Sequence, residues 1–378
     1  MAMNTYAEVF PPGEFLKDEL EARNWSQTEF AEIIGRPVRL INEIIAGKRA
    51  ITPETAIQLS ASLGTSAELW MNLESQFQLS KVGSPDTLIE RKAKLYEKFP
   101  VREIIRRGWV PGSDDLELLE QQFLQFYGIS SVEETPRLAH AAKKSTYGEV
   151  PSILQQSWLF RVKHVASSFV LPKFSPDALR RQLTGIRALQ TDPAELRHIP
   201  KLLNEAGVRF VLVEALPGSK IDGACLWLSD TQPVIAMSSR LDRIDNFWFV
   251  LRHEIEHVLL EHGKEEPMLD EDIGESESER EEEKMANQAA SQFGVSDEEL
   301  NGYMARVNPY FFARDRVVGF AARLNVHPGI VIGRLHKALE KRNQPDSYKF
   351  LRDYLVKVRQ FVAPSAPSDG WGNVFPVR

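Results

Sequence analysis

Within Leu251-Arg252-His253-Glu254-Ile255-Glu256-His257-Val258, two histidines stand four residues apart around a glutamate, inside an apolar run. On a helix, four residues advance the chain by about 6 Å and pass a full turn by about 40°, so His253 and His257 can hold one cation from one face. Glu254 then lies beside that cation, placed to take a proton from its bound water. Phe247, Trp248, Phe249 and Val250 precede the pair and Leu259 and Leu260 follow it, so this helix must be substantially buried. Two satisfied core histidines are the bland alternative. Neutral imidazoles in a core need partners, and a shared metal supplies both at once.

A hydrolytic zinc site takes three protein donors and leaves one position open. The single cysteine, Cys225, can build neither an internal disulfide nor a thiolate cage, so nitrogen and oxygen must hold the metal. Two imidazoles and a carboxylate suit Zn2+ and also accept iron or manganese. Among the carboxylates Glu283 is favoured, because Ala286, Asn287 and Ala290 follow it at helical spacing and form a small face that allows close approach. Glu279, Glu282 and Glu261 are rivals. His262 is less suitable, about 140° around the helix from His257.

The 378 residues suffice for two or three domains, and no apolar run reaches the roughly 18 residues of a membrane span. The N-terminus lacks a basic stretch followed by an apolar one, so the expectation is a cytoplasmic protein with no membrane partner. Residues 1–80 read as a compact domain of five short helices, with Ser26, Thr52 and Ser66 as starts and Pro37 opening the third. The second and third helices, joined across Gly35-Arg36, have the lengths and tight turn of a helix-turn-helix unit. Residues 81–200 read as a helical middle region without a motif of chemistry, its Leu116, Leu119, Phe123 and Phe126 being core spacing.

Strand character begins only after Gly207. Val208 to Val213, Ala224 to Leu228 and Val234 to Met237 read as three short strands ahead of the His253 helix, in a domain over 201–345. The acidic run from Glu265 to Glu283 reads as a solvated loop grading into a helix, and 346–378 as a C-terminal helix and a loose tail, a frayed terminus being the default although Trp371 and Phe375 could dock it.

Residues from about Leu202 to Leu335 resemble the ImmA/IrrE-type metallo-endopeptidases. Asn204-Glu-Ala-Gly-Val208, Ile221-Asp-Gly223, Pro233-Val-Ile235, Arg252-His-Glu-Ile-Glu-His257 and Glu283-Lys-Met-Ala-Asn287 match in order. The resemblance implies a zincin-like domain with His253, His257 and Glu283 as zinc ligands and Glu254 as catalytic base. Tyr303, Tyr310 and His327 are unranked candidates for stabilising an oxyanion.

Pro12 to about Leu79 resembles the HigA-type antitoxins of the Xre helix-turn-helix class, which implies a lambda-repressor-like fold. Pro12-Gly-Glu-Phe-Leu16, Ser26-Gln-Thr28, Ile41-Asn-Glu-Ile-Ile-Ala-Gly-Lys-Arg49 and Trp70-Met-Asn-Leu73 carry the match. Residues 1–80 hold six basic side chains against eleven acidic ones. Arg36, Arg39, Asn42, Lys48 and Arg49 gather in or just after the second half of the motif, a basic edge suited to phosphate. Val38 and Leu40, at the start of the recognition helix, offer no group to hydrogen-bond base edges.

The expectation is therefore a mainly α chain with a small α+β part: a cytoplasmic regulator that binds operator DNA and carries a zinc-dependent endopeptidase acting on a regulatory partner protein. Paired half-sites make a homodimer the expected assembly. The alternative is an antitoxin-like repressor that neutralises a cognate toxin by binding, its metal domain a sensor or scaffold without turnover.

Overall fold

The computed structural model describes residues 9–82, 87–138, 151–264, 267–271, 281–307, 312–342 and 350–375. The chain divides into two compact units, Met1–Glu90 and Arg91–Arg378.

Unit one holds α1 (Pro12–Ala22), α2 (Gln27–Ile33), α3 (Val38–Ile45), α4 (Pro53–Leu63) and α5 (Ala67–Val82). Local chemistry sets the starts. Ser26 Oγ accepts from the Glu29 N–H at 3.2 Å while Glu29 Oε2 accepts from the Ser26 N–H at 2.8 Å, a reciprocal cap on α2. Thr52 caps α4 through the Thr55 N–H, and Gly35 and Gly64 adopt the left-handed conformation that ends α2 and α4. Leu16, Leu20, Phe30, Ile41, Leu59 and Trp70 are buried in one core. A Cβ on Gly13 would lie 2.1 Å from the Ile44 carbonyl oxygen, so α1 meets α3 at backbone distance.

Across the division lies α6 (Thr87–Lys98), followed by α7 (Val101–Arg106), α8 (Leu116–Tyr127), α9 (Ile153–Ala166), α10 (Pro176–Ala188) and α11 (Ile199–Glu205). Then come β1 (Arg209–Val213), β2 (Ile221–Trp227), β3 (Pro233–Met237), α12 (Ile244–Leu259), β4 (Met268–Glu271) and α13 (Glu281–Gly294). The chain continues through α14 (Asp297–Arg306), α15 (Arg314–Leu324), α16 (Pro328–Glu340), α17 (Arg359–Val362) and β5 (Ser368–Asp369).

The sheet order is β4-β2-β3-β1-β5, with β1 parallel to β3 and β5, and β2 antiparallel to β3 and β4. Strand alternation sends Phe210, Leu212, Cys225, Ile235 and Met237 into a core with α12, α15 and α16, and Val211, Val213, Ala224, Val234 and Ala236 into a second core with α8 and α9. Both faces are therefore covered, which is why the strands read as continuous apolar runs. No helix among the described residues is long and apolar enough to cross a membrane.

Two features differ from the sequence expectation. The sheet has five strands rather than three, because β4 lies inside the acidic run expected to be a solvated loop and β5 is only two residues long. Backbone pairing with β2 orders residues whose composition alone favours solvation. The expected loose tail is docked through residue 375. Asp369 and Arg161 of α9, each 1% exposed, form an ion pair, and Arg161 Nη2 donates to the Phe375 carbonyl at 2.6 Å. Trp371 and Phe375 pack on the two cores, so the expected frayed terminus is not what these residues form.

Burial pushes the Asp369 carboxyl above its ordinary range, against the pull of Arg161. Breaking one side of a buried pair leaves an uncompensated charge. Asp369→Ala is expected to destabilise the second unit by about 3–5 kcal/mol, read as a lower urea midpoint.

Candidate functional site

The site in the second unit is built on α12, none of whose residues is fully exposed. Ile244, Leu251, Ile255 and Val258 are fully buried among the sheet and α16, each side chain contributing about 1.5–3 kcal/mol of apolar burial. His253, Glu254 and His257 are 0% exposed on the same helix, and Glu283 of α13 is 4% exposed. Ala286, Ala290 and Gly294 form the buried small face of α13, which lets the two helices approach closely.

His253 Nε2 and His257 Nε2 lie 2.9 Å apart; Glu283 Oε2 is 3.3 Å from the first and Glu283 Oε1 is 3.6 Å from the second. One donor atom from each of these residues falls within 4.8 Å of the others, the group of metal-binding spacing among the described residues. Two imidazole nitrogens and a carboxylate gathered in a buried site bring lone pairs together, which protons or a cation can bind. The donor set therefore fits a divalent cation of the nitrogen- and oxygen-preferring kind.

The neighbouring groups orient the rings. His257 Nδ1 lies 3.0 Å from His262 Nδ1, and burial lowers the His262 imidazolium below its ordinary value against the pull of Glu282 and Glu256. The His262 carbonyl accepts from Trp227 Nε1 at 2.7 Å and faces the buried Cys225 thiol at 3.6 Å. Gly263, with φ of 79°, brings this turn so close to β2 that a Cβ there would sit 2.7 Å from the Cys225 carbonyl oxygen. Glu256 binds Arg252 at 2.7 Å, and the Arg252 guanidinium lies 5.6 Å from the Phe293 ring. Phe249, one turn before His253, stacks on the His253 ring at 6.4 Å.

Glu254 faces β2. A Cβ at Gly223 would lie 2.1 Å from Glu254 Oε1, and the β2–β4 register shifts between Ile221 and Gly223. A glycine at an irregular strand position thus leaves the volume that the carboxylate occupies.

Of the rivals to Glu283, Glu261 has φ of 58°, is exposed and pairs with Lys264 at 2.7 Å. Glu282 is half-buried outside the group, and Glu279 lies outside the described residues. His262 and Gly223 had weak sequence signals, a histidine off the helical face and a glycine inside an apolar strand. Tyr303 is buried and stacked on Phe320 at 4.3 Å, its hydroxyl without a partner among the described residues. His327 caps α16 through Nδ1, and Tyr310 lies outside the described residues.

In unit one the five basic-edge residues separate. Arg36 is half-buried and held by Gln58 at 2.9 Å and by Glu54, which makes it a brace to α4. Arg39 and Asn42 are exposed on α3, and Lys48 and Arg49 are exposed just after it. Arg39 pairs with Glu43 at 2.7 Å and Arg49 with the same carboxylate at 3.3 Å. The hydrogen bond from Arg39 holds Glu43 below the ordinary carboxylate range. Val38 and Leu40 are half-buried against the core, which explains apolar residues at the start of a surface helix.

Gly223→Ala is expected to cost about 1–3 kcal/mol of stability by overpacking. Part of that cost should disappear in a Glu254→Ala background, a coupling that a denaturant double-mutant cycle measures.

The helix-turn-helix family profile matches residues 16–70, and the M78 peptidase family profile, described as an IrrE N-terminal-like domain, matches residues 205–336. The HTH-type transcriptional regulator YddM of Escherichia coli K12 is 34% identical over 70 residues, covering 18% of this chain and 74% of that protein. Virulence-associated protein A of Dichelobacter nodosus is 37% identical over 73 residues, 19% of this chain and 72% of that protein. Among solved structures, the antitoxin HigA of Pseudomonas aeruginosa with the higBA promoter is 33% identical, covering 20% of this chain and 83% of that one, with a TM-score of 0.20. PA4674 of the same species in complex with its operator DNA is 32% identical over 22% of this chain and 91% of that one, with a TM-score of 0.21. Through residues 16–70 the chain belongs to the helix-turn-helix family, and over residues 205–336 it carries an IrrE N-terminal-like domain of the M78 peptidase family.

Proposed function

We propose that the protein is a cytoplasmic regulator that binds operator DNA through its first unit and cleaves a regulatory partner protein with a zinc-dependent endopeptidase in its second. The convergence of His253, His257 and Glu283 in a buried site, with Glu254 on the same helix, carries this reading. His253, His257 and Glu283 would hold a zinc ion, which would supply Lewis acidity for hydrolysis of a peptide bond. His253 and His257 would present Nε2 to the ion, and His262 Nδ1 would then be the partner of the His257 Nδ1 proton on the far side of the ring. Glu254 takes the proton of the attacking water and passes it to the leaving amine. Gly223 keeps the space in which that carboxylate turns between the two tasks.

Elemental analysis with a cleavage assay on a randomised peptide library tests the assignment, new N-termini being counted by mass spectrometry. Glu254→Gln should keep the metal and cleave about 10²–10⁴-fold more slowly. Undiminished cleavage by that variant would remove Glu254 from the role. Absence of turnover in a zinc-loaded wild type would favour the toxin-neutralising repressor instead.

DNA binding is supported by the helix-turn-helix profile and by the exposed Arg39, Asn42, Lys48 and Arg49 on and after α3. Glu43 holds both arginines, so their release to phosphates requires exchange of that carboxylate. Arg39→Ala should weaken binding to the upstream operator region and reduce the slope of log K against log salt by about 1. An unchanged slope in fluorescence anisotropy excludes a phosphate contact by Arg39.

A further inference from the structure

Away from the histidine cluster, the second unit encloses a cavity of about 110 Å3 between α12, α13, α16 and the short 3-10 turn Leu189–Thr191. Its walls include the aromatic rings of Trp248, Phe249 and Phe293, and Arg334 and Lys337 stand among its cationic lining. Gln190 lines it with a side chain 1% exposed, yet neither Oε1 nor Nε2 has a hydrogen-bond partner among the described residues. Trp248 Nε1, in a side chain 3% exposed, is likewise without one.

Buried hydrogen-bonding atoms left unmade are rare and costly, and four around one cavity, Arg334 Nε being the fourth, mark a place where something else completes them. The backbone around Gln190 is set: its carbonyl accepts from the His327 N–H at 2.7 Å. Gly294 on α13 makes room for the carboxamide, since a Cβ there would lie 3.3 Å from Oε1 and 2.9 Å from Ile330 Cγ2. A carboxamide presents an acceptor and a donor side by side, the pattern that pairs with the N6 and N7 edge of adenine, and the aromatic walls suit a planar ring. A cavity of about 150 Å3 holds a benzene ring, so this smaller one takes in only the edge of a six-membered ring and leaves the rest of the base at its mouth.

We propose that this cavity is a binding site for a purine base, read by the Gln190 carboxamide and the Trp248 indole N–H. Phe249 stands in its wall and stacks on His253, so the occupant and the histidine cluster share a side chain.

Calorimetric titration of the full chain with adenine tests the site. Adenine should bind, and purine, which lacks the 6-amino donor, should bind about ten- to a hundredfold more weakly. Gln190→Leu should abolish binding and, in the free protein, melt at or above the wild-type temperature, because it removes two unmade hydrogen-bonding atoms. No heat with adenine at millimolar concentration, equal affinity for purine, or undiminished binding by Gln190→Leu overturns the proposal. A sharply lower melting temperature for the free variant also overturns it, since the amide is then completed by water alone.

Discussion

Four side chains that prefer water, His253, Glu254, His257 and Glu283, are packed at 4% exposure or less between a sheet and two helices. Burial of such groups is unfavourable unless each finds a partner, and the surroundings are shaped to supply one at short range. Gly223 clears the volume beside Glu254, Gly263 lets the turn after α12 press on β2, and the Ala286–Ala290–Gly294 face of α13 brings the Glu283 carboxylate onto the imidazoles. Each contact is made by a residue with little or no side chain. The chain gives up apolar volume at these points to bring polar atoms together, and the large residues of α12 recover it on the opposite side against Phe210, Ile235 and Met237.

The first unit obeys a different constraint. Its acidic side chains outnumber its basic ones, so it presents no broad positive field, and the exposed Arg39, Lys48 and Arg49 gather at the outer edge of α3 and the turn that follows. Even that edge is internally compensated, with Glu43 shared by Arg39 and Arg49. Affinity in such a surface depends on how readily an exposed ion pair is exchanged for a phosphate, a balance that added salt shifts steeply.

The local features were legible in the sequence because their determinants are local. The His253–His257 spacing, the helix start at Ser26 and the Ala286–Ala290 stripe are each patterns of one helix, and each appears where local sequence places it. His262 was not legible, because the angle of 140° assumes a helix that continues, whereas α12 ends at Leu259 and the left-handed Glu261 turns the chain back toward His257. Nor were β4 and β5. One is held by pairing against β2 despite an acidic composition, and the other by Arg161, which stands 208 residues away in sequence. Val38 and Leu40 looked out of place on a helix expected to face DNA only because sequence does not say that α3 turns them inward.

The strand that Asp369 closes carries a consequence for biosynthesis. β1 pairs on one side with β3, made shortly after it, and on the other with β5, whose residues emerge about 160 positions later. At the roughly 5–20 residues per second of translation, β1 waits on the order of ten to thirty seconds with an open edge and Arg161 waits without its counter-charge. The first unit, whose contacts span fewer than ninety residues, can complete its core in that interval. The helix-turn-helix unit can therefore fold before β5 closes the sheet of the second unit, which carries His253, His257 and Glu283.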